Sequence, residues 1–209
     1  MSEPLQYNAD SRALQEQFDS LRLADRVAEI HVRNALSDSD CEFISQQRMV
    51  FVATADTHGH PECSYKGGQA GFVRVINSRT LVMPSYNGNG MFLSLGNLCA
   101  NPKVGLLFID FERPQRLRVN GTAKVLASDP LMHQFPGAEL LVKIDIRHVF
   151  GNCPRYVPTM RFVQESEFLP QTDAAPPVPP WKMRPVWHEV LPATDPARRI
   201  DPGRPEGEV

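Results

Sequence analysis

Apolar residues recur at helical spacing in the first 47 residues of the chain. A first set predicts a helix that is capped by Asp10 or Ser11. A second set is out of phase with the first, which indicates a bend or two short helices. The two sets are Leu14, Phe18 and Leu21, then Leu23, Val27 and Ile30. The capping-box spacing of Ser39 and Glu42 predicts one further helix over roughly residues 40–47.

From Arg48 onward the apolar pattern takes the period of β-strands. Runs rich in β-branched and apolar residues are separated by short turn sequences. These runs are RMVFVATAD, PECSYK, GFVRVI, TLVMP, KVGLLFID, RLRVNGTAKVL and ELLVKIDIRHVF. One insert, around residues 90–100, has the length of a helix. Short links favour antiparallel neighbours, so the pattern predicts a mainly β fold with a six- to seven-stranded antiparallel barrel, N-terminal helices and one inserted helix.

The last 40 residues have a different composition. Ten of the 19 prolines lie between Pro170 and Pro205, which disfavours regular helix and strand interiors. Disordered segments tend to lack aromatic residues, yet Trp181 and Trp187 lie here. A disordered tail is one interpretation; we favour an extended arm, from about 170 to 190, that packs against its own barrel or a partner subunit. The predicted organisation is a helical segment packing on the barrel (1–47), the barrel (48–169) and a proline-rich extended arm (170–209).

Composition and charge narrow the classes of partner. The chain has 209 residues, 42% of them hydrophobic and 22% charged, with a formal net charge of -2. This near balance gives no electrostatic reason to expect nucleic acid or an anionic membrane. No apolar run approaches the ~20 residues of a membrane span, and the start lacks the pattern of a secretory signal. The four cysteines show no paired spacing, so we expect a reduced, cytoplasmic compartment. His58 and His60 flank a predicted turn without a third ligand nearby, so we expect no metal site.

The segment CSYKGGQAGF, residues 63–72, is the first candidate site. Ser64 and Lys66 share one face of a strand end because side chains alternate. Gly67 and Gly68 then leave the backbone bare. These glycines serve turn geometry alone, or their amides and carbonyls hydrogen-bond the edge of a planar ligand.

The loop SYNGNG, between a strand and the inserted helix, is the second candidate site. Asn87, Gly88, Asn89 and Gly90 suit a positive φ, which lets successive amides point into one concavity. The dipole of the following helix favours an anion there. The loop is therefore either a flexible connection or a phosphate site.

Two arginines on one strand add to this signal. Arg116 and Arg118 alternate with Leu117 and Val119, so both guanidinium groups leave the same face. Facing outward they would be solvated surface. Facing inward at a barrel rim they would be donors for a phosphate or an anionic ring.

Residues 43–128, taken in order, resemble the flavin-binding core of the pyridoxamine 5′-phosphate oxidase-like proteins, and most of all their branch of predicted flavin-nucleotide-binding proteins. The resemblance rests on FVATADTHGHPECSYKGG, GFVRV, LVMPSYNGNGMFLSLGN, NPKVGLLFID and RLRVNGTAKVL, followed by NCPRY. It implies a split β-barrel, a homodimer and an FMN in each of two grooves at the dimer interface.

The resemblance also implies roles for individual residues. The residues expected along the isoalloxazine and ribityl chain are Ser64, Tyr65, Lys66, Gly67 and Gly68. Those expected on the other side and at the phosphate are Pro84, Ser85, Asn87, Gly88, Asn89, Gly90 and Met91. Arg116 is expected to contact the flavin, and Arg155 to reach the site from the other subunit.

Three departures bear on the activity. True pyridoxamine phosphate oxidases carry an arginine where this chain has Ser64, and a basic pair where it has Gly90, Met91 and Phe92. The vitamin-substrate residues have no match in the tail. The resemblance thus implies an FMN-dependent oxidoreductase with a small-molecule redox substrate, and argues against pyridoxamine phosphate oxidation. A flavin carrier or sensor without turnover, the same barrel with a deazaflavin or haem, and a cofactor-free interaction module are the alternatives.

Overall fold

A computed structural model describes residues 5–171 and 176–200 of the chain. The chain divides into two compact units, of which the first ends at Val163 and the second begins at Gln164. The first unit contains every strand described below and the candidate site.

Three helices precede the sheet: α1 Ala9–Gln17, α2 Leu21–His31 and α3 Asp38–Ser45. The predicted break between two short helices is confirmed. The predicted cap of α1 is wrong, because the side chain of Asn8 accepts the Ser11 amide at 2.7 Å. Asn8 is therefore the N-cap, two residues before the first predicted position.

The capping box of α3 lies two residues earlier than predicted. Ser37 is the N-cap and Asp40 its partner, instead of Ser39 and Glu42. The Asp40 carboxylate accepts the Ser37 amide at 2.8 Å and the Arg33 guanidinium at 2.5 and 3.1 Å. Burial raises the pKa of Asp40, but the hydrogen bonds from Arg33 and Ser37 outweigh it, so the pKa lies below its ordinary value. The ion pair with Arg33 favours Asp40, and hence the earlier capping box. A prediction from the capping residues alone does not include this contact.

Seven antiparallel strands form one sheet and confirm the mainly β split barrel. They are β1 Met49–Ala55, β2 Pro61–Gly67, β3 Arg74–Asn77, β4 Thr80–Tyr86, β5 Lys103–Asp110, β6 Gln115–Leu126 and β7 Ala138–Gly151. Their order across the sheet is β2-β1-β5-β6-β7-β4-β3. The inserted helix, α4 Leu93–Ala100, lies between β4 and β5 in the chain, as predicted.

The barrel core is built from alternate residues of the strands. Val50 and Val52 of β1 and Val119 of β6 have no exposed surface, as expected for side chains that point to one face. The register of β6 against β7 shifts between Asn120 and Gly121. A side chain at Gly121 would collide with the backbone oxygen of Asp145, so this irregularity requires glycine.

Helices α1 and α2 bury no residue, whereas Ile44 of α3 is fully buried in the barrel core. An ion pair joins α1 to α2, between Arg12 Nη2 and Asp25 Oδ1 at 2.6 Å. Just before α1, the Tyr7 hydroxyl donates to Ala24 O of α2 at 3.0 Å. Their apolar side chains remain 43–73% exposed. These side chains are Leu14, Phe18, Leu23, Val27 and Ile30.

The second unit consists of short helical turns joined by irregular chain. They are the 3₁₀ turns Pro180–Met183 and Pro196–Arg199 and the one-turn helix α5 Pro185–His188. This differs from an extended arm, because a proline is tolerated in the first turn of a helix and each of these turns has one there. Lys182 and Asp195 form a buried ion pair at 2.5 Å. Packing of this unit against a barrel or a partner stays a prediction.

Among the residues that the structure describes, no helix has the length and apolarity that crossing a membrane requires. The cytoplasmic location stays a prediction.

Candidate functional site

Seven of the residues expected at the site line one cavity of about 300 Å³. They are Ser64, Lys66, Ser85, Gly88, Asn89, Gly90 and Met91. Six further lining residues were not expected from the sequence: Glu62, Tyr86, Phe92, Leu93, Ser94 and Leu95. The cavity lies between β2, the end of β4 and the start of α4. Two segments that are about 20 residues apart in the chain therefore meet at one cavity, and their contact with a ligand stays a prediction.

The β2 wall of the cavity carries the one cation among its described lining residues, Lys66. Glu62, Ser64 and Lys66 alternate along the strand and share one face. Lys66 has no hydrogen bond or ion pair to any other described residue. Its ammonium group is thus available to an anion in the cavity.

The other predicted β2 residues lie outside the cavity lining. Tyr65 is 60% exposed and packs edge-on against Phe51, with ring centroids 6.1 Å apart. A side chain at Gly68 would collide with the ring of Phe72, and the Gly68 amide donates to Arg48 O at 2.9 Å. A side chain at Gly67 would meet the Tyr65 hydroxyl. Close packing against Phe72 therefore accounts for Gly68, whereas the exposed Tyr65 side chain can move away from residue 67. Contact of either glycine with a ligand stays a prediction.

The loop after β4 departs from regular geometry at fewer residues than predicted. Gly90, with φ of 77°, is in the left-handed region, whereas Asn87, Gly88 and Asn89 are not. The expectation of positive φ is confirmed for Gly90 and wrong for the other three. Side-chain bonds hold the two asparagines, because Asn87 Nδ2 donates to Glu139 Oε1 at 2.8 Å and Asn89 Oδ1 accepts the Met91 amide at 3.0 Å. Neither asparagine has a left-handed backbone. Pro84, the remaining predicted residue of this segment, is buried in β4.

The N-terminus of α4 opens into the cavity without a side-chain cap. Its N-cap residue, Phe92, has a left-handed backbone with φ of 51° and makes no side-chain capping bond. The first amides of a helix have no partner within it, and Leu93, Ser94 and Leu95 all line the cavity. The positive end of the helix dipole and Lys66 thus line the same cavity, and both favour an anion.

A hydrogen-bonded chain connects α4 to β2. Asn97 Nδ2 donates to Thr54 Oγ1 at 3.1 Å, and the buried Thr54 hydroxyl donates to Glu62 Oε2 at 3.0 Å. Thr54 is opposite Glu62 in the β1–β2 register. This chain fixes α4 against the hairpin and places a carboxylate in the cavity.

Within a single chain, the predicted site residues Arg116 and Arg155 are not part of the lining of this cavity. Leu117 and Val119 are buried, so Arg116 leaves the outer face of β6. It lines a second cavity, of about 400 Å³, and its Nη2 donates to Cys153 O at 2.7 Å. The Nε atom of Arg116 is buried and has no hydrogen-bond partner among the described residues. Arg155 is exposed.

The described residues form no cluster of three or more His, Cys, Asp or Glu side chains that is suited to a metal ion.

Comparison with known families gives one decisive match. Residues 37–157 match the family described as pyridoxamine 5′-phosphate oxidase, and this match covers more than half of the chain. The chain belongs to this family. The matched region includes all seven strands, α4 and every residue that lines the 300 Å³ cavity. Helices α1 and α2 and the second unit lie outside it. No curated protein matches the chain.

Several solved structures are similar to this chain. HupZ of Group A Streptococcus is 19% identical, with a TM-score of 0.45 over 56% of this chain and 94% of its own. A FAD-binding protein of Mesorhizobium loti is 20% identical, with a TM-score of 0.40 over 57% of this chain and 96% of its own. General stress protein 26 of Bacillus anthracis is 13% identical, with a TM-score of 0.39 over 54% of this chain and 91% of its own.

Proposed function

We propose that the protein binds FMN in the 300 Å³ cavity and is an FMN-dependent oxidoreductase that acts on a small-molecule redox substrate. One observation carries the proposal: Lys66 and the uncapped N-terminus of α4 line the same cavity. A family match alone would not locate a phosphate. An ammonium group beside free helix amides is the chemistry that binds one.

The residues of the cavity fit the parts of FMN. The amides of Leu93 to Leu95 and the Lys66 ammonium group would hold the phosphate, with Ser64 and Ser85 as further hydrogen-bond donors. Gly90 has a left-handed backbone, which a glycine adopts readily. No other protein atom lies within 4 Å of the position that a Cβ would take, so this space is open to the ligand. When bound, FMN would supply the hydride-transfer chemistry, and the chain would bind and orient it.

The proposed site is completed by a second copy of the chain. Three successive residues at its rim, Met91, Phe92 and Leu93, are 54–62% exposed. Apolar groups in this position favour burial against a partner. Arg116 and Arg155 lie outside the cavity of their own chain, and in the proposed homodimer they belong to the groove of the partner subunit.

Absorbance and mass of the purified protein test the proposal. We expect a yellow protein, or one that takes up added FMN, and an extracted chromophore with the mass of FMN. A chromophore with the mass of a deazaflavin or a haem would show that the same barrel binds that cofactor instead of FMN. A colourless protein that binds no FMN at micromolar concentration would refute the proposal.

Two further measurements test turnover and assembly. FMN-dependent oxidation of NAD(P)H in steady state would support an enzyme, whereas FMN binding without turnover with any donor would favour a carrier or sensor. Light scattering should give twice the 23.4 kDa mass of the chain. A monomer would contradict the shared groove.

A further inference from the structure

An anionic side chain lies in the cavity proposed for the phosphate. Glu62 and Lys66 line it from the same face of β2, and no ion pair joins them in the described part of the chain. Four residues along a strand separate their Cα atoms by roughly 13 Å. The cavity therefore has a cationic end and an anionic end that do not neutralise each other.

Hydrogen bonds hold the Glu62 carboxylate in this position. The Thr54 hydroxyl has one proton, and its oxygen already accepts from Asn97 Nδ2, so the proton is directed to Glu62 Oε2. Thr54 is 6% exposed. The other carboxylate oxygen, Oε1, has no hydrogen-bond partner among the described residues. Glu62 is thus anchored through one oxygen and leaves its charge to the cavity.

The direction of α4 sets the distance from this charge to the phosphate. Asn97 bonds to Thr54, and Asn101 bonds to Ala55 O at 3.2 Å, further along β1. The helix therefore runs in the same direction as β1 from Asn97 to its end. Its first residue, Leu93, lies roughly 6 Å before Asn97 along the axis. The free amides of the first turn are consequently about one helical turn from the side chains that hold Glu62.

We infer that Glu62 weakens binding of the flavin phosphate, so that FMN dissociates faster than it would from a cavity without this charge. The inference rests on the proposed function, because it concerns the same cavity. A phosphate carries about -1.5 to -2 charges at neutral pH, and among the described residues the cavity of a single chain offers it one cation, Lys66. Repulsion across one helical turn, roughly 6 Å, in a solvent-accessible site corresponds to an affinity loss of about five- to tenfold.

The test compares the wild-type protein with Glu62→Gln in titrations with FMN and with riboflavin, followed by flavin fluorescence. Glutamine can still accept the Thr54 hydroxyl, and it removes the charge. We expect FMN to bind about five- to tenfold more tightly and to dissociate more slowly by a similar factor. Riboflavin has no phosphate, so its affinity should not change. Glu16→Gln, on the exposed surface of α1, is the matched control and should alter neither affinity.

The outcomes separate this inference from the proposed function. An FMN affinity that is unchanged or weaker in Glu62→Gln, or an equal gain for riboflavin, overturns the role of Glu62 and leaves FMN binding in place. Absence of FMN binding in both proteins overturns the proposed function and the inference together. Glu62→Ala, which also lacks the charge, should reproduce the gain and covers the case in which the glutamine variant does not fold.

Discussion

Replacing Lys66 with methionine removes the one cation that lines the 300 Å³ cavity. Methionine keeps most of the aliphatic stem, so packing along β2 is preserved. Hydrogen bonds to charged groups contribute about 1.5–3 kcal/mol. Because Lys66 is only partly buried, we take the lower value of about 1.5 kcal/mol, which is about tenfold in dissociation constant.

Titration with FMN and with riboflavin measures this loss. We expect Lys66→Met to bind FMN about tenfold more weakly, with riboflavin affinity unchanged and with a smaller effect of added salt than in the wild type. Lys103→Met is the control, since Lys103 is exposed at the start of β5 and outside the cavity. An FMN affinity within twofold of the wild-type value, or an equal loss for riboflavin, would refute the assignment of Lys66 to the phosphate.

Three other substitutions test the loop, the sheet and the third helix. Gly90→Ala should weaken FMN binding, because residue 90 has a left-handed backbone, whereas Gly96→Ala should not, since its φ is ordinary, its space is open and it lies outside the cavity lining; titration separates them. Gly121→Ala should lower the free energy of unfolding in urea by about 1–3 kcal/mol through collision with a backbone oxygen, whereas Gly96→Ala, on an open face of α4, should raise it by up to about 1 kcal/mol. The lowered pKa of Asp40 adds stability that is complete above about pH 4 and is lost as the pH falls below it. Asp40→Asn should therefore be less stable at pH 7, and its stability should change less between about pH 5 and pH 3; a wild-type-like pH profile would contradict this.

The strands and the inserted helix could be read from the sequence because local patterns decide them. Alternation of apolar residues in KVGLLFID and RLRVNGTAKVL matches strands β5 and β6. One face of each strand is buried in the barrel core, which requires an apolar residue at every second position. The cap of α3 could not be read in the same way. Ser37 and Ser39 are both acceptable N-caps, and the contact that decides between them comes from Arg33, outside the helix.

The candidate site was predicted in part for similar reasons. Ser64 and Lys66 were found by alternation, and the same period extends to Glu62, so this signal was present in the sequence. Phe92 gave no such signal, because its left-handed backbone follows from the path of the loop and not from its residue type.

The direction of Arg116 was left open by the sequence, since either face of a strand can carry alternating arginines. Burial of Leu117 and Val119 in the barrel decides it.

Amide hydrogen exchange with and without FMN tests the central claim most directly, because it locates the phosphate. With saturating FMN, exchange should slow at the first amides of α4, Leu93 to Leu95, and at Gly90, and saturating riboflavin should protect them less. FMN binding that leaves these amides unprotected, or that protects a different surface of the barrel, would contradict the account.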